Sequence, residues 1–171
     1  MANLIRNRAL ATDEWVLLRE ITEPALVLAN TDQQLIVPLS FWLEHKEQLR
    51  ERPAKNAVWL NSHELPATLG EDMHDFELIA LHFPVFSDGR AYSSARELRN
   101  SFGYKGEVRA IGDVLRDQLF YMASCGFDSF ALRDDQNIDS ALRAFTDFRE
   151  AYQSSVERPE PLFRRRGQPS S

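Results

Sequence analysis

Residues 107–132 read EVRAIGDVLRDQLFYMASCGFDSFAL, and the hydrophobic period changes twice along them. Val108 to Ile111 is a short apolar run of strand length. After Gly112-Asp113, Leu115, Leu119 and Met122 recur at helical spacing until Gly126 interrupts them, and Ser129 to Leu132 is again strand-like. A strand, a helix and a strand joined by such short connections must form a parallel pair, because the helix carries the chain back to the starting edge through a right-handed crossover.

The same alternation extends in both directions. Downstream, Asn137 or Asp139 is placed to cap a last helix whose Ile138, Leu142, Phe145 and Tyr152 form one stripe. Upstream, Phe76 to Phe83 is the strongest strand in the chain. Ser94-Ala95-Arg96-Glu97 has the spacing of a capping box and predicts a helix from there to Gly103, with Ala95, Leu98 and Phe102 facing the core. Ala57 to Leu60 reads as a buried strand followed by a short helical segment near Leu65 to Asp72. The order βαβαβαβα gives about four βα units, half the length of an eight-unit barrel. The expected fold is therefore α/β with a mostly parallel sheet, as an open sheet or a half-barrel.

Ahead of these units, Trp15 to Leu18 and Ala25 to Leu28 are β-rich. Asn30 to Gln33 supplies turn chemistry before Leu35-Ile36-Val37, so a short N-terminal β hairpin or meander is expected there. Ser40 is placed to cap a helix carrying Phe41, Trp42, His45 and Leu49, which Pro53 stops. Residues 1–156 thus read as a single α/β domain. Residues 157–171 hold four arginines, three prolines and a glycine without helical periodicity, and read as a disordered Arg-rich tail.

Charge narrows the partners. Twenty Lys and Arg against 26 Asp and Glu give a net charge of −6, which argues against a general affinity for nucleic acid. The longest apolar stretch, Phe76 to Phe86, contains Glu77, His82 and Pro84 and is too short to span a bilayer. Without an apolar segment between Arg8 and Asp13, a cleaved secretion signal is not expected, and the protein is expected in the cytoplasm. The lone Cys125 cannot form an intrachain disulfide or hold an iron–sulfur cluster, and its place at the end of an apolar helix reads as an inert packed thiol. His45, His63, His74 and His82 lack metal-ligand spacing, and no dinucleotide, phosphate-loop or nucleophile-elbow motif is present. No cofactor or metal is expected.

In parallel α/β folds ligands lie beyond the carboxyl ends of the strands. The loop after Phe83 delivers Arg90, Ser93 and Ser94 to a helix start, with Arg96 in the first turn. That set suits a small anion such as a sulfate, phosphate or carboxylate. Asp113, after the next strand, is a candidate general base, and equally a good N-cap for the helix that follows. Arg109 alternates onto the face of Ile111, so it is expected to be buried and paired with Asp117 or Asp128.

The motifs DGR-x-YS, GY-x-GE-x-RA-x-GD and DQ-x-x-x-M-x-x-x-GFD, all between Phe83 and Leu132, closely resemble the signature region of the bacterial domain-of-unknown-function family DUF 934. The resemblance continues more loosely upstream through Leu35 to Leu39 and Trp42-Leu43. Members of that family are often encoded beside assimilatory sulfite reductase and labelled as oxidoreductases of sulfite reduction. The resemblance carries over no catalytic residue. It implies a cytoplasmic accessory protein of sulfate assimilation, a non-catalytic partner of sulfite reductase or of its electron supply. The alternative is a (βα) enzyme acting on a small sulfated or phosphorylated anion.

Overall fold

The computed structural model describes residues 3–145. Tyr152 and the Arg-rich tail lie outside the described residues. Eight strands make one sheet: β1 (Leu4–Arg6), β2 (Ala9–Ala11), β3 (Trp15–Leu17), β4 (Gln34–Pro38), β5 (Asn56–Leu60), β6 (Leu78–Phe83), β7 (Glu107–Gly112) and β8 (Ser129–Ala131). Their order across the sheet is β2-β1-β8-β7-β6-β5-β4-β3, with β3 to β8 successively parallel and β1 antiparallel to both β8 and β2. The fold is α/β, an open, curled half-barrel with an antiparallel N-terminal strand pair.

The helices occupy the segments between successive parallel strands: α1 (Pro24–Ala29), α2 (Leu39–Arg50), α3 (Arg90–Arg96) and α4 (Leu119–Cys125), with a further helix, α5, over residues 138–145. Their apolar side chains, among them Trp42, Leu49, Ala95, Leu98, Met122 and Phe145, cover the outer sheet face of Val37, Val58, Ile79, Leu81, Phe83, Val108 and Phe130. The inner face carries Ile36, Ala57, Trp59, Leu78, Ala80 and Ile111, packed by Trp15 and Leu17. Ala57 and Ala80 are small where the indoles are large, so the hollow of the curl is filled by side chains.

The two edge strands, β2 and β3, are consecutive in the chain and joined only by Thr12-Asp13-Glu14. A link that short spans about 14 Å at full extension, so the sheet has to curl until its edges approach each other. Arg109 stabilises the seam. Its side chain is 2 % exposed, with Nη1 on Asp13 Oδ1 and Nη2 on Glu107 Oε2, both at 3.0 Å, and Nε 3.3 Å from Ser129 Oγ. The burial expected of Arg109 is present, but its partners are Asp13 and Glu107. Asp117 pairs with Arg116, and Asp128 accepts the Val108 N–H and pairs with Arg99.

Several local expectations are corrected. Ala25 to Leu28 belong to α1, because Pro24 at the first helical turn starts a helix, so β3 and β4 run parallel. The N-terminal hairpin is instead β1–β2, turned by Asn7 and Arg8, both at positive φ as a two-residue turn requires. Ser40 lies inside α2, whose N-cap is Pro38. Residues Pro66–Asp75 form 3₁₀ turns broken at Gly70. Ser94 does not cap α3: the helix begins four residues earlier, at Arg90, and continues through a π-helical turn over Glu97–Ser101 before Gly103 at φ +64. Asp113 is likewise no cap, since the chain bends there, is extended at Leu115, and α4 begins only at Leu119 after a 3₁₀ turn over Arg116–Gln118. Asn137 does act as a cap, accepting the Ser140 N–H at 2.8 Å. No helix among the described residues is long and apolar enough to cross a membrane.

Candidate functional site

The earlier helix start places Arg90, Ser93 or Ser94, Glu97 and Ser101 three or four residues apart in turn, on one side of the helix. Across from them runs the loop leaving β5, with Ser62, His63 and Leu65. Together these residues line an open groove of about 530 Å³ beyond the carboxyl ends of β5 and β6. Three sequence candidates, Arg90, Ser93 and Ser94, therefore meet in one groove. Ser62, His63, Glu97 and Ser101 were not read from the sequence. The helical spacing of Glu97 and Ser101 was visible there, whereas the arrival of the β5 loop was not.

Arg90 is already engaged. Its Nε and Nη2 donate to the two oxygens of Asp88 at 3.0 and 2.7 Å, and its backbone N–H donates to the same carboxylate. These bonds, with a further one from Ser62, hold the Asp88 carboxyl well below the usual carboxylate range. The guanidinium is thus oriented, with its Nη1 making no hydrogen bond among the described residues. Gly89, which precedes it, has φ −76, a conformation open to any residue.

Ser94 is 7 % exposed and lines the groove, yet its hydroxyl has no hydrogen-bond partner among the described residues. A buried hydroxyl without a partner costs free energy on the order of 1–3 kcal/mol. Arg96 points elsewhere: it donates to the Tyr121 hydroxyl and lies 5.5 Å from that ring's centroid. Asp113 is also outside the groove. One carboxylate oxygen accepts the Phe86 N–H at 2.7 Å, and the other accepts from Arg133, which also pairs with Asp135.

A second depression, of about 570 Å³, opens at the carboxyl ends of β3, β4 and β5, where Arg19, Ser40, Glu44, Trp59, Asn61 and Glu64 meet. Beside it the His82 ring packs at a tilt against Trp59, with centroids 5.5 Å apart, and its Nδ1 lies 3.4 Å from Asn61 Oδ1. Burial, and after it the charge of Arg19, keep His82 below its ordinary pKa. Cys125 is buried in the core, and no group of three or more His, Cys, Asp or Glu among the described residues is arranged to hold a metal ion.

The loops that leave β5 and β6 present a partly apolar rim, of which Leu65 also lines the groove. Leu65, Val85 and Phe86 are 62 %, 52 % and 44 % exposed on the loops that leave β5 and β6. Those loops touch through the bond between Ser62 and Asp88. A family model described as a bacterial protein of unknown function, DUF934, matches residues 57–163, which include the groove and this rim. No curated protein matches the chain.

Proposed function

Given that the chain belongs to the DUF934 family of bacterial proteins, we propose that it is a cytoplasmic, non-catalytic accessory protein of assimilatory sulfite reduction that docks on sulfite reductase or its electron supply. The sulfite-reduction step comes from the family resemblance and the gene neighbourhood it implies. The non-catalytic part rests on one observation: the candidate base and the candidate anion residues are separate, and each is held by a neighbouring ion pair. Asp113 is bound by Arg133 and the Phe86 amide, while Arg90 is bound by Asp88. A general base must lie within reach of its substrate's proton, and Asp113 lies outside the groove with each carboxylate oxygen already held by a neighbour.

Docking is supported by the exposed Leu65, Val85 and Phe86 on two touching loops. Apolar and aromatic side chains of this kind are the usual anchors of protein interfaces. The test is a deletion strain combined with affinity purification. Loss of the gene should impair growth on sulfate and sulfite, with sulfide restoring it. The tagged protein should retain sulfite reductase, and a Val85→Ser/Phe86→Ser variant of unchanged melting temperature should release it. Equal impairment on sulfide, or full retention of the reductase by that variant, would remove the proposal.

A further inference from the structure

We infer that the groove between α3 and the loop after β5 binds a small oxyanion in its protonated, singly charged form, of the dihydrogen phosphate type. Three independent features converge there. The first is Ser94, a residue more than nine-tenths buried that lines the open groove and whose hydroxyl has no hydrogen-bond partner among the described residues. Native proteins pair such groups with protein, water or ligand, so this one marks a place where a polar ligand atom completes the bonding. The second is the π-helical turn over Glu97–Ser101, whose first and last residues line the same groove. Single π turns inside helices occur frequently at functional sites, because the wider turn re-aims side chains that regular α geometry would misplace. The third is Arg90, fixed by Asp88 along its Nε–Nη2 edge and left with Nη1 as a donor.

The chemistry of the lining selects the ligand. Ser93, Ser94 and Ser101 offer hydroxyls, and Arg90 offers charged donors, so an acceptor-rich group is favoured. The charge of Arg90 is offset by Asp88, and Glu97, which has no ion pair among the described residues, adds a negative charge. A fully deprotonated dianion would therefore meet a lining with no net positive charge. A protonated monoanion such as dihydrogen phosphate resolves the conflict, because it brings a single charge and its O–H donates to Glu97 while its other oxygens accept from the serines and Arg90; at pH 8.5 it gives way to the dianion. The groove thus distinguishes phosphate, which holds a proton near neutrality, from sulfate, which does not.

The experiment titrates the intact protein with inorganic phosphate and, separately, with inorganic sulfate at pH 6 and pH 8.5, following backbone amide shifts of residues 62–65 and 90–101. Phosphate should bind at pH 6 and weaken at pH 8.5, and sulfate should bind at neither. His63, Asp88, Arg90 and Glu97 are the charged or titratable groups around the ligand. Protonation of His63 would strengthen both anions alike, so the sulfate arm separates its effect from that of the ligand's own proton. Ser94→Ala should weaken phosphate on the order of five- to tenfold. Glu97→Gln should admit sulfate and flatten the pH dependence, since an amide N–H can donate where the carboxylate only accepts. Melting temperatures recorded alongside identify any variant that fails to fold, and Ser93→Ala then provides the second hydroxyl test. Absence of phosphate binding, equal binding of sulfate to the unaltered protein, or a Glu97→Gln variant with unchanged preference would each overturn the inference.

Discussion

Arg109, in the middle of β7, and Asp13, in the link between the two edge strands, are joined at 3.0 Å across the seam of the curled sheet. Glu107 takes the other side of the guanidinium. Removing the cation would leave two carboxylates facing each other without compensation. Arg109→Ala is expected to destabilise the fold by about 3–5 kcal/mol, and Arg109→Met by less, because Met keeps the packing of the long stem. Asp13→Asn should cost about 1 kcal/mol or less: Asp13 is 38 % exposed, and an amide oxygen still accepts the Trp15 N–H. Urea unfolding of the three variants checks the order.

Gly112 ends β7 at φ +94, and a Cβ there would lie 2.4 Å from the Phe83 carbonyl oxygen and 2.8 Å from the His82 ring. Backbone conformation and space both exclude a side chain. Gly112→Ala should lower stability by about 2 kcal/mol or more, measured by thermal or chemical unfolding. Gly89→Ala, at an ordinary φ with nothing nearby, is the control and should be close to neutral.

His82 gives a pH signature. Its pKa is lowered first by burial and second by Arg19, so the folded protein favours the neutral ring. The sign follows from linkage: the stability contributed is complete above the unfolded value of about 6.5 and is lost as pH falls through the lower folded value. NMR of the ring protons should show a midpoint below 6.5. Arg19→Gln should raise that midpoint part of the way, because burial is the larger cause. An unmoved midpoint would remove Arg19 from the account.

Arg52 is 7 % exposed and bonds oxygen atoms of the chain rather than a carboxylate: Nε donates to Asn30 O at 2.6 Å, and the two Nη atoms donate to Asn56 Oδ1 and Gln33 O. Burial lowers its pKa, though a guanidinium remains charged. Its planar fork ties the end of α2 to the turn before β4. Arg52→Lys cannot reach three separated acceptors and is expected to cost about 2–3 kcal/mol in chemical unfolding.

The sheet was legible because its strands announce themselves by short apolar runs: Ala57 to Leu60, Phe76 to Phe83, Val108 to Ile111 and Ser129 to Leu132 all pair as parallel neighbours. Helix starts were less so. Ser94 and Asp113 have the chemistry of caps, but a cap is decided by where the chain first turns helical, and that point is Arg90 in one case and Arg116, at the 3₁₀ turn before α4, in the other. Arg90, Ser93 and Ser94 are near neighbours in the chain and line one groove. Ser62 and His63 arrive from another strand, and Asp13 meets Arg109 from the far end of the chain. Local pattern carries no record of such encounters.

The position of β1 has a consequence for biosynthesis. Leu4 to Arg6 emerge from the ribosome long before their sheet neighbour β8, Ser129 to Ala131. β3 to β7 can zip up one after another as they are made, each beside the strand before it. The N-terminal hairpin cannot dock in that sequence. Leu4 and Ile5, fully covered in the finished fold, stay exposed throughout most of translation. β8 is the strand that admits β1, so nascent chains stalled short of β8 are where chaperone dependence and early proteolysis should concentrate.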